Sequence, residues 1–78
     1  MVITTINNNK LFIKFDSLVK DGVIHITDNK NFKSDKSIKD SDFEVMDLPA
    51  DSDKIHIRIE IDKEKISKTI NLNNQHIR

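Results

Sequence analysis

The chain contains no cysteine. A disulfide framework, a thiolate zinc site and a cysteine nucleophile are therefore excluded. Tryptophan and tyrosine are also missing. Those residues are the strongest interface anchors and base-stacking platforms, so aromatic contact falls to Phe12, Phe15, Phe32 and Phe43. A single glycine, Gly22, cannot build a P-loop or a dinucleotide fingerprint. Charge of either sign in excess is absent too, with 13 basic and 13 acidic side chains. A dedicated duplex binder carries a positive surplus, and a nucleic-acid mimic the reverse. No apolar run approaches the ~18 residues of a membrane span, and residues 1–10 do not read as a signal peptide. A cytoplasmic protein with no membrane partner and no cofactor is the expectation, in the host cytoplasm if the chain is phage-encoded.

What the chain has is isoleucine in alternation. In Ile55-His56-Ile57-Arg58-Ile59-Glu60-Ile61, isoleucine takes every second position and ionisable residues fill the gaps. Side chains on a strand alternate between faces, so this run specifies a strand with one buried and one wet face. It has no glycine, proline or bulge signal, which makes it the best candidate for a central strand.

Shorter segments repeat the theme. Val2–Ile6 and Leu11–Phe15 flank Asn7-Asn8-Asn9-Lys10 and read as a hairpin with a three- or four-residue loop. Asp21-Gly22 reads as a turn with positive φ at Gly22, followed by a strand over 22–27. Residues 32–41 have no clear period and read as a loop with a short helical turn over Asp35–Lys39. A strand over 43–48 ends at Pro49. The region after Asp62 stays open. Ile66 and Ile70 lie four apart, as on a helix, yet Ile66, Lys68, Ile70 and Leu72 also share strand parity.

These elements predict one small, mainly β domain over residues 1–78, with 73–78 as a loose tail. The architecture is an antiparallel five- to six-stranded barrel or sandwich, with strand 65–72 or one short C-terminal helix closing it. The alternative is an α+β domain with a three- to four-stranded sheet and one helix. Strand edges in so small a sheet invite pairing, which makes a homodimer the expected assembly.

Chemistry-bearing residues are scattered. His25 and His56 lie mid-strand and could share a metal if their strands are neighbours, but the usual ligand spacing is missing and no metal site is assigned. His76 sits near the terminus. Asp40, Asp42, Glu44, Asp47, Asp51 and Asp53 form an acidic run without a basic residue inside it. Asp42, Glu44 and Asp47, with His56, Arg58 and Glu60 of the isoleucine strand, are candidate protein contacts. Lys30, Lys33, Lys36 and Lys39 make one basic series. Lys54, Arg58, Lys63, Lys65 and Lys68 make another and are the candidate nucleic-acid contacts, with Phe12 or Phe32 for stacking. Phe12 and Met46 interrupt the polar faces of their strands, as core residues or as an exposed apolar patch.

No catalytic constellation emerges. The expected function is a non-enzymatic protein-binding module, of the phage-type or accessory kind that inhibits a larger complex. A single-stranded nucleic-acid binder on a small barrel is the second reading, and a structural or assembly subunit the third.

Overall fold

A computed structural model describes residues 2–50 and 52–72; the expected tail at 73–78 lies outside them. Five antiparallel strands make one sheet that curls into a half-barrel. They are β1 (Val2–Asn7), β2 (Lys10–Thr27), β3 (Lys33–Asp47), β4 (Lys54–Ile61) and β5 (Glu64–Asn71). No helix occurs among the described residues, so residues 64–71 resolve to the strand alternative. None of the described residues forms a helix long and apolar enough to cross a membrane.

Strand β2 organises the sheet. Its first part pairs with β1 and its last part with β4, while β3 runs beside both parts. Strand β5 pairs with β4. At the junction, between the pairs Lys14–Phe43 and Val19–Ser41, β2 has four intervening residues where β3 has one. Extra residues on one strand bend it and can exchange its faces. The buried side chains of β2 lie at odd positions up to Val19 (Leu11, Ile13, Phe15, Val19) and at even ones beyond it (Ile24, Ile26). Opposite the bend, Asp40 takes φ 51°. Aspartate tolerates that left-handed conformation better than most side chains.

The core follows from the register. Ile24, Ile59 and Ile66 form one inward row across β2, β4 and β5. Ile26 and Ile57 form the next, and Ile55 faces Ile70. From the other half come Leu11, Ile13, Phe15 and Met46. Met46 is thus core, opposite Leu11.

Three expectations are corrected. The β1–β2 loop has two residues, Asn8 and Asn9, both at positive φ, as a tight hairpin turn requires. Residues 33–41 belong to a long strand, not to a loop with a helical turn. Gly22 lies inside β2 with no positive φ, paired with Ile38 and Ile61.

The β2–β3 connection is held by Asp28. One oxygen accepts the amides of Lys30 at 2.8 Å and Phe32 at 3.0 Å. The other accepts the Ser52 hydroxyl at 2.5 Å, which ties this turn to the β3–β4 loop. The Ser52 hydrogen bond and those amides hold the carboxyl down from 3.8 to about 2. A depressed carboxyl contributes stability above its unfolded value and loses it as pH falls through its folded value. Asp28→Asn is therefore expected to be less stable than the parent chain at neutral pH. That gap should narrow as pH drops from about 4 towards 2. Urea unfolding at a series of pH values tests this. A gap that stays constant through that window would remove Asp28 from the account.

Candidate functional site

The sheet presents two separate outer surfaces, one on each side of the bend. The first is built from β1, the start of β2 and the end of β3. Its rows are Ile3, Lys14 and Phe43; then Thr5, Phe12 and Val45; then Asn7, Lys10 and Asp47. Phe12 and Phe43 stack with centroids 6.2 Å apart and planes 24° from parallel. That offset geometry is favourable for aromatic pairs. Phe43 remains 47% exposed and Ile3 56%. Of the two residues that break the polar alternation, Met46 is core and Phe12 belongs to this exposed cluster.

The cluster is flanked by ion pairs. Lys10 Nζ lies 2.6 Å from Asp47 and Lys14 Nζ 2.9 Å from Asp42. The lysine ammonium groups hold both carboxyls below the usual carboxylate range, chiefly by hydrogen bonding and then by charge. Glu44, the third candidate of the acidic run, stands on the inward parity of β3 opposite Ile13. Its side chain is only 13% exposed and meets Lys36 at 3.3 Å. Asp42, Glu44 and Asp47 are thus each matched by a lysine from β2 or β3. Asp51 of that run, like His76, lies outside the described residues.

The second surface is the outer side of β2, β3, β4 and β5. One row reads Asp35, His25, Arg58, Ser67; the next reads Lys33, Thr27, His56, Thr69. A third reads Ser37, Val23, Glu60, Lys65. His25 Nδ1 meets Asp35 at 2.7 Å, while its Nε2 is 4.0 Å from Glu60. Arg58 Nε is 3.3 Å from the same Glu60 oxygen. His56 Nδ1 meets the Thr69 hydroxyl at 3.1 Å. A depression of about 470 Å³ opens on this face, lined in part by His25, Lys33, His56, Arg58 and Ser67.

His56, Arg58 and Glu60 thus share the outer row of β4, as the alternation predicts. His25 and His56 stand on neighbouring strands, but His25 lies opposite Arg58 and His56 opposite Thr27. Among the described residues no group of three histidine or carboxylate side chains is placed to hold a metal ion.

The candidate nucleic-acid set is distributed differently. Lys54, Arg58 and Lys65 have outward parity, and Lys63 sits in the β4–β5 turn. Lys68 shares the parity of Ile66 and Ile70 and reaches across the open side of the half-barrel to the Thr4 hydroxyl at 3.2 Å. Glu60 stands beside Arg58 and opposite Lys65, so positive charge does not run unbroken along this face.

Sequence reasoning missed two contributors. Alternation puts Phe43 on a strand, but its stacking on Phe12 depends on the β2–β3 register. Asp35 falls in a stretch without a clear period, and its contact with His25 depends on the same register. Comparison with family models, with curated proteins and with solved structures finds no match to the chain.

Proposed function

We propose that the chain is a non-enzymatic protein-binding module that docks through the outer face of β1, β2 and β3. The observation that carries this reading is the stacked, half-exposed Phe12–Phe43 pair beside Ile3 on a face that strand alternation would make polar. Protein interfaces concentrate aromatic and aliphatic contact at the centre and place polar groups around it. Here the rim is Lys10–Asp47 and Lys14–Asp42, already neutralised within the chain. A partner would need to present apolar surface and no compensating charge. A nucleic-acid strand gains little on such a face, because both lysines are held by aspartates.

The strand edges support a face contact over an edge contact. Lys36 on β3, Lys68 on β5 and Thr4 on β1 each occupy an inward position of an edge strand. Inward polar or charged residues on an edge discourage a further strand from adding there.

The test is capture from the source cell by the parent chain and by Phe12→Ser/Phe43→Ser. A partner retained by the parent should be held about 30-fold more weakly by the variant, the effect of losing one hot spot of about 2 kcal/mol. Circular dichroism should show the same β-sheet signal for both. Equal capture by the two chains would remove the aromatic face from the interface.

A further inference from the structure

A second site lies on the other outer surface, and it stands on residues that the docking face does not use. From its side chains we infer that the depression over β2, β3, β4 and β5 binds a phosphate monoester through Lys33, His56 and Arg58.

Three strands deliver the groups. Lys33 comes from β3, and His56 and Arg58 come from successive outward positions of β4. All three line the same depression. Ser67 and Thr69, on β5, add hydroxyls directly across from Arg58 and His56. An oxyanion with several acceptor oxygens suits such a set, because charge-assisted hydrogen bonds from guanidinium, ammonium and imidazole are stronger than neutral ones. Asp35 is the one carboxylate lining the depression, and its Oδ1 is held by His25 at 2.7 Å. His25 thereby pairs the one carboxylate of the lining, while Glu60 beside the depression takes Arg58 Nε and leaves the terminal guanidinium nitrogens for a ligand.

The form of the ligand follows from the surroundings. A volume of about 470 Å³ exceeds a bare phosphate and leaves room for an organic group attached to it. A continuous phosphodiester fits less well. Leaving the depression along β4, it would meet Glu60. Lys33, His56 and Arg58 line one depression and are not strung along a groove, which favours a terminal, doubly charged phosphate over a chain of singly charged ones.

The test is a titration followed by amide resonances of the intact chain at low salt. Inorganic phosphate, a phosphoserine peptide and its unphosphorylated counterpart, and a short oligothymidylate serve as probes. Inorganic phosphate and the phosphopeptide should shift amides around His25, His56, Arg58 and Ser67, with a dissociation constant of about 1 mM for phosphate. Arg58→Gln and Lys33→Gln should each weaken phosphate about tenfold, whereas Lys10→Gln should not. Tighter binding of the phosphopeptide than of phosphate would place the monoester on a protein; equal binding would place it on a small molecule. Both outcomes support the site. No shift with phosphate, equal shifts with the unphosphorylated peptide, or oligothymidylate binding more tightly than either phosphate probe would overturn it. None of these results depends on Phe12 or Phe43, so the docking face stands or falls separately.

Discussion

Ile59→Ala is expected to lose about 2–5 kcal/mol of stability, the range for truncating a buried isoleucine to alanine. The position decides why the loss should be large. Ile59 is fully buried at the middle of the inward row Ile24, Ile59, Ile66, with β2 on one side and β5 on the other. Its neighbours are fixed by two hydrogen-bonded ladders, so the sheet cannot close over the cavity without breaking register. Cavities that cannot collapse fall at the costly end of the range. Against this stands a total stability of roughly 0.05–0.15 kcal/mol per residue, about 4–12 kcal/mol for 78 residues. A domain this size belongs near the lower figure, because it buries a smaller share of its surface than a larger one. The variant should therefore be substantially unfolded at room temperature, or unfold at a far lower urea concentration. Far-ultraviolet circular dichroism gives the measurement, since the chain has no tryptophan or tyrosine to report by fluorescence. Ile61→Ala, at the partly buried end of the same strand, should cost visibly less. Equal midpoints for the two variants would contradict the assignment of Ile59 to the centre of the core.

The inward face of β4 was legible in the sequence, and the reason is local. Four isoleucines at spacing two allow only one register of faces, whatever the partners are. The first half of β3 was not legible, because its pattern depends on its neighbour. Over Lys33–Asp40 it contributes one buried side chain, Ile38, and its pairing is imposed by the longer and more apolar β2. Lys36 has inward parity opposite Ile24, which no alternation rule would predict. It is accommodated because its ammonium reaches Glu44 and the Val45 carbonyl farther along the same strand. The candidate surfaces were half legible for the same reason. His56, Arg58 and Glu60 share a row by simple parity, but Asp35 and Phe43 join their partners only through the β2–β3 register. The bend at Lys14–Val19 shifts that register, so counting from either end of β3 leads to different partners.

Gly22 separates the two kinds of inference most sharply, and substitutions there should rank in an order that tells them apart. Asp-Gly is a strong turn signal, and a turn needs glycine for positive φ. At such a position asparagine is the best replacement, and alanine is strained. In the half-barrel the glycine serves close approach instead. A Cβ on Gly22 would lie 2.9 Å from the Glu60 carbonyl oxygen, 3.3 Å from Ile38 Cδ1 and 3.4 Å from Val19 Cγ1. The two side chains can yield, but the carbonyl belongs to β4, whose ladder with β2 places Ile61 opposite Gly22. Strand propensity alone predicts that alanine gains roughly 0.5–1 kcal/mol over glycine in an element interior. Overpacking against fixed backbone costs about 1–3 kcal/mol, so alanine should still be net destabilising. Valine has the higher strand propensity, yet it adds two methyl groups at the crowded carbon and should be worse, near or beyond the top of that range. Asparagine should resemble valine and not glycine. The expected stability order is therefore glycine, alanine, then asparagine and valine, read from urea midpoints. A turn glycine would place asparagine ahead of alanine, and an uncrowded strand glycine would place valine first. Either order would overturn the close packing of β2 on β4 at this point, and with it the continuity of β2 through its bend.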